Sequence, residues 1–220
     1  VLVFNRALNN SERALMEEYF FDNYLPHRSD WTLQEVATAN TPTALEFLPD
    51  GRLLILEKGG RIGIANTNSV PTTPSTYLEI QNVANYDELG LLDIALDPDF
   101  ANNGHFFVYY SHAPTQKFRL SRFTHLGNNS ATNTEVVIWE STTLTSCCHY
   151  GGGLTFGADG KLYLTLGDKF EGLAAGDLTS IDGKVIRLNK DGSIPADNPF
   201  VDGPGGNRDE IYAYGVRNPF

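Results

Sequence analysis

Long apolar runs are missing from this sequence, and so are clusters of positive charge. No stretch approaches the roughly 18 consecutive apolar residues that cross a bilayer, so no membrane span is expected. The opening Val1-Leu2-Val3-Phe4 is too short for a signal-peptide core. With no initiator Met, the chain reads as a mature or internal piece of a longer product. Lys and Arg total 16 against 27 Asp and Glu, a net charge of −11. Without a basic run to relieve that charge, nucleic acid is not expected as a partner.

Cysteine occurs twice, at Cys147 and Cys148. Neighbouring residues cannot staple distant segments, so the pair is either two small thiols or a strained vicinal disulfide, the latter only in an oxidising compartment. Zinc spacing is absent, because the cysteines are adjacent and His27, His105, His112, His125 and His149 are scattered. No phosphate loop or dinucleotide fingerprint occurs either: the Gly151-Gly152-Gly153 run has Phe156 where the fingerprint needs its last glycine.

What is present points to β structure. The chain is 41% apolar and only 20% charged, enough to bury a core, and its 21 glycines and 11 prolines favour many turns and short elements. One helix is predicted over 11–21, with Ser11 as its N-cap. Beyond Trp31 the pattern becomes short alternating apolar runs broken by Gly, Asn, Asp and Pro. The expected organisation is a helical or linker segment over 1–30 and an all-β domain over 31–220.

That domain contains a repeat. Segments around Leu45-Glu46-Phe47, Ile94-Ala95-Leu96 and Leu154-Thr155-Phe156 each read as strand, tight turn, strand. Their turn aspartates Asp50, Asp99 and Asp159 are spaced 49 and 60 residues apart, near the ~40–50 residues of a four-stranded propeller blade. About three to four blades fit the chain. A propeller closes only with more, so an incomplete N-terminal portion is expected.

Several residues could carry chemistry. His149 precedes the three glycines, where a ligand could approach closely; it is either a histidine held in a loop or a general base. Leu162, Leu164 and Leu166 alternate along a strand, and the next residue on that face is Asp168, which could cap a turn or orient His149. Arg217 beside Asn218 could bind a planar, oxygen-rich anion or lie on the surface. Glu88 reads as a loop acid.

Taken together, five blocks resemble the soluble glucose/sorbosone dehydrogenase family: Glu88-Leu-Gly-Leu-Leu-Asp-Ile-Ala-Leu-Asp-Pro-Asp-Phe100, His149-Tyr-Gly-Gly-Gly through Leu-Gly-Asp168, Gly183-Lys-Val-Ile-Arg-Leu-Asn189, Asp191-Gly-Ser-Ile-Pro-Ala-Asp-Asn-Pro-Phe200 and Ile211-Tyr-Ala-Tyr-Gly-Val-Arg-Asn-Pro219. The resemblance implies a six-bladed β-propeller that uses pyrroloquinoline quinone (PQQ) and calcium to oxidise a sugar or polyol hydroxyl, passing electrons to an external acceptor. It further implies His149 as the base, Asp168 holding it, Arg217 balancing charge on the cofactor, and Asn218 and Glu88 at the cofactor's edge. Calcium ligands are expected mainly beyond residue 220, this portion alone is expected to be inactive, and an extracellular or periplasmic location is implied.

The chain departs from the family pattern with Leu89 and Asp93 in the first block, Cys148 before the base and Phe220 near the end. The same domain also resembles the hedgehog-interacting protein family, which implies the alternative of a non-catalytic module for extracellular protein binding.

Overall fold

The alternating apolar pattern folds into three antiparallel four-stranded sheets. The computed structural model describes residues 9–24, 34–128, 130–142 and 148–220. The first sheet runs β1 (Pro42–Phe47), β2 (Leu53–Glu57), β3 (Arg61–Ala65), β4 (Ser75–Glu79) in spatial order. The second runs β5 (Leu91–Leu96), β6 (His105–His112), β7 (Lys117–Thr124), β8 (Val136–Glu140), and the third β9 (Gly151–Phe156), β10 (Leu162–Leu166), β11 (Lys184–Leu188), β12 (Ile211–Tyr214). Each sheet is a four-stranded meander, the construction of a propeller blade. Three blades are formed, at the lower end of the expected three to four.

The repeat is confirmed in the first and third blades. Asp50 and Asp159 occupy equivalent turns, each accepting from the backbone N–H two residues on, and Gly51 and Gly160 close both turns. In the second blade the tight turn is replaced by a single-turn helix, α2 (Phe100–Asn103), with Asp99 at its N-cap position and Gly104 left-handed at its end. The hairpin there closes from Asp97 N–H to the His105 carbonyl, 3.0 Å. Asp99 is therefore a helix-entry residue and not the counterpart of the other two aspartates.

The N-terminal helix, α1 (Asn10–Tyr24), is longer than the predicted 11–21 and is capped by Asn9 rather than Ser11. Asn9 Oδ1 accepts from Glu12 N–H at 3.0 Å, and Glu12 Oε2 accepts from Asn9 N–H at 2.9 Å, a reciprocal capping box. Arg13 pairs with Glu35. The boundary expected near residue 30 lies outside the described residues.

Strand β6 explains how the blades cohere. Its period of two sends Phe106, Val108 and Tyr110 into the core shared with the first blade, and Phe107 and Tyr109 into the core shared with the third. All five are essentially without solvent exposure. The first strands β1, β5 and β9 lie against one another in succession. Polar bonds join them: Thr43 Oγ1 donates to the Leu91 carbonyl at 2.7 Å, and Leu154 N–H donates to Asp93 Oδ2 at 2.7 Å. Asp93, a departure from the family pattern, thus ties the second blade to the third, while Leu89 is buried in the core between them.

Burial pushes the Asp93 carboxyl above its ordinary range, against the two backbone N–H groups that favour its charge. Glu46 is pushed up by burial and then by the charge of Asp93. A carboxyl raised on folding contributes stability below its unfolded pKa and loses it as pH rises through the folded value. Glu46→Gln is therefore expected to raise Tm at pH 7 by roughly 2 °C, the scale of a sub-kcal/mol change in a chain of this size. Thermal melts should show the gain shrinking to nothing near pH 4.

Candidate active site

The candidate residues meet where β9 begins and β10 ends. Leu162, Leu164 and Leu166 are buried along one face of β10, and Asp168 continues that face at 6% exposure. Its backbone is fixed by an N–H bond to the Arg217 carbonyl at 2.7 Å. From the segment leading into β9, His149 enters at 7% exposure in a left-handed backbone conformation, φ 58°. Gly151 follows, also left-handed, where a Cβ would come within 2.8 Å of the Thr165 carbonyl.

His149 Nδ1 lies 2.8 Å from Asp168 Oδ1. A carboxylate only accepts, so Nδ1 carries the proton, and in the neutral imidazole Nε2 presents a lone pair. The expected pairing of imidazole and carboxylate is therefore present. The opposite face of the cluster is built by Glu88 and Asn218. Glu88 Oε2 accepts from Tyr150 N–H at 3.2 Å and from Asn218 Nδ2 at 3.3 Å, while Asn218 Oδ1 accepts from Gly151 N–H at 3.0 Å. These two side chains fix the backbone immediately after His149.

Arg217 is exposed, and its guanidinium carbon sits 5.8 Å from the centre of the Phe170 ring. It has no carboxylate partner among the described residues, unlike Arg187, which is held by Asp159 and Asp197. Phe170 in turn stacks on the His149 imidazole, ring centres 4.2 Å apart and 27° from parallel. Sequence reasoning missed Phe170. The only signal was an aromatic residue between Lys169 and Glu171 in an otherwise polar segment.

Two lysines brace the excursion that follows Asp168. Lys169 Nζ meets Asp182 Oδ1 at 2.9 Å and Thr142 Oγ1 at 3.2 Å. Lys184, fully buried, donates Nζ to the carbonyls of Ala174, Ala175 and Asp182 at 2.7, 3.1 and 2.6 Å. Burial pushes its ammonium pKa down. The other described histidines lie elsewhere: His125 Nδ1 is 2.9 Å from Tyr77 Oη, His112 Nδ1 is 2.9 Å from Thr115 Oγ1, and His105 begins β6. Cys148 is disulfide-bonded. That sets aside the reading of Cys148 as a free thiol, while Cys147, the other cysteine of the chain, lies outside the described residues, and with it the vicinal-disulfide alternative.

Residues 39–220 match the sequence pattern of the glucose/sorbosone dehydrogenases. The chain belongs to that family.

Among glucose/sorbosone dehydrogenase relatives, the aldose sugar dehydrogenase of Escherichia coli is 33% identical over 184 residues, covering 81% of this chain and 48% of that protein. Quinoprotein glucose dehydrogenase B of Acinetobacter calcoaceticus is 30% identical, covering 84% and 44%. Mouse hedgehog-interacting protein is 29% identical, covering 85% and 31%. The chain spans about half the length of the two dehydrogenases.

Solved structures agree. A glucose dehydrogenase-like oxidoreductase of Thermus thermophilus superposes with TM-score 0.74 at 35% identity over 84% of this chain and 54% of that one. A PQQ-bound aldose sugar dehydrogenase of Streptomyces coelicolor also gives 0.74, at 28% identity over 86% and 55%.

Proposed function

We propose that these three blades carry the proton-accepting part of a quinone-dependent sugar dehydrogenase. The observation that carries this reading is the His149–Asp168 pair: a buried carboxylate binds the Nδ1 proton, leaving Nε2 as a fixed acceptor. Oxidation of an aldose or polyol removes a hydride from carbon and a proton from the attached hydroxyl. The proton goes to Nε2 of His149, and the resulting imidazolium is stabilised by Asp168.

The donor set suits PQQ, an anionic, oxygen-rich group. Arg217 would hold it, its guanidinium having no carboxylate partner among the described residues, and Glu88 and Asn218 would border its edge while fixing Tyr150 and Gly151. When bound, PQQ supplies the two-electron acceptor for the hydride. An external acceptor must then reoxidise it. For calcium the described residues gather no cluster of three or more His, Cys, Asp or Glu, so none of the described residues is assigned to the metal.

An extracellular or periplasmic location fits the disulfide at Cys148, since disulfides persist in oxidising compartments. No helix among the described residues is long and apolar enough to cross a membrane.

The test is reconstitution of the full-length protein with PQQ and calcium, followed by dye reduction with a panel of aldoses and polyols. Turnover that requires both sugar and PQQ is the expected result. Its absence across the panel would remove the dehydrogenase reading and favour the protein-binding alternative.

A further inference from the structure

Phe170 is 63% exposed, so burial does not hold it in place. Its backbone is left-handed, φ 67°, as is that of Lys169 before it, φ 51°. Such conformations are sparsely populated outside glycine and persist where the surroundings over-determine them, often at functional sites. Here the surroundings are His149 and Asp168. Lys169 N–H donates to the His149 carbonyl at 3.1 Å, and Phe170 N–H donates to Asp168 Oδ1 at 3.0 Å. That oxygen is the one that accepts from His149 Nδ1.

These contacts form a closed loop. Asp168 Oδ1 grips the imidazole edge and the Phe170 backbone together, and the Phe170 ring lies over the imidazole face. A single hydrogen bond at Nδ1 fixes one edge of the ring but leaves it free to tilt about that bond. A flat aromatic surface at 4.2 Å removes the tilt. The lysine below anchors the arrangement through Asp182 and Thr142.

We propose that Phe170 is a positioning residue whose ring, held in a strained backbone, keeps the His149 imidazole in its proton-accepting orientation. This rests on the reading of His149 as the base. The effect operates through geometry, since displacement of a reacting group by about 1 Å can lower a rate by about 100-fold.

The test combines imidazole 15N NMR of the cofactor-free protein with kinetics of the PQQ-loaded full-length protein. Wild type is expected to give one His149 tautomer, protonated at Nδ1. Phe170→Ala should give exchange between tautomers, and kcat about tenfold lower with KM within about twofold. Phe170→Tyr should restore both, whereas Phe170→Leu, which keeps apolar bulk without the plane, should not.

A wild-type 15N pattern in Phe170→Ala overturns the proposal, as does full rescue by leucine. A rise in KM at unchanged kcat overturns it too, because the ring would then be a substrate contact. If wild type turns over no sugar, the dehydrogenase reading fails, and the 15N comparison still decides whether the ring holds the imidazole.

Discussion

Removing the His149 imidazole is expected to lower kcat by about 10²–10⁴, the range that a positioned general base contributes. Asparagine is the better replacement than alanine. His149 sits at φ 58°, a region in which asparagine is among the residues most often found, so His149→Asn leaves the backbone of the site in place while deleting Nε2. Asp168→Asn should be severe for a different reason. The amide can turn its NH2 toward Nδ1, which then becomes the acceptor and places the proton on Nε2, where it blocks the base. The carboxylate also receives Phe170 N–H at 3.0 Å, so the same change loosens the aromatic cover. Stopped-flow dye reduction on the PQQ-loaded protein measures both variants. A His149→Asn protein that retains turnover within tenfold of wild type would take proton abstraction away from this residue.

The second large effect is structural. A Cβ on Gly167 would lie 1.9 Å from the His149 carbonyl oxygen and 2.4 Å from its carbonyl carbon, with Gly151 N at 3.0 Å. All three contacts are backbone, so no side chain can swing aside. The two segments that carry the base and its partner must separate, and with them go the Lys169 N–H bond to His149 and the Asp168 Oδ1 contact. Gly167→Ala is therefore expected to destabilise by about 3 kcal/mol or more, the range of overpacking and backbone conflict at a buried site. In a chain of this size that lowers Tm by roughly 6–12 °C. Melting of the purified variant checks this, and a Tm within 2 °C of wild type, well under the roughly 6 °C expected, would mean that the strands are not so closely apposed.

The parts legible in the sequence were those with a local code. Alternation along Leu162, Leu164 and Leu166 placed Asp168 on the buried face of β10 without any tertiary information, because strand geometry fixes which residues share a face. Asp50-Gly51 and Asp159-Gly160 marked equivalent turns for the same reason. The middle blade escaped because Asp97-Pro98-Asp99 looks like the other turns, yet the residues after it have length enough for one helical turn. The N-cap was misplaced by two residues, since the Asn9–Glu12 pair competes with Ser11 for the capping position.

The five candidate residues could be named from the resemblance, and so could the pairing of His149 with Asp168, but the partners of Glu88 and Asn218 could not. Glu88 and Asn218 bond to the backbone of Tyr150 and Gly151, contacts that span 62 and 67 residues and exist only after the blades have assembled. Phe170 was least accessible of all. Its role depends on two consecutive left-handed residues, which nothing in Gly-Asp-Lys-Phe-Glu specifies.

The division of β6 between two cores makes the middle blade the keystone of the three. Peeling it away would strip Phe106, Val108 and Tyr110 from one neighbour and Phe107 and Tyr109 from the other in a single event. Either flanking blade, by contrast, can fray while one of those cores survives. Local opening is thus graded from the flanks inward. His149, just before β9, and Asp168, just after β10, both belong to a flank, so their pairing is exposed to local openings that leave the middle blade intact.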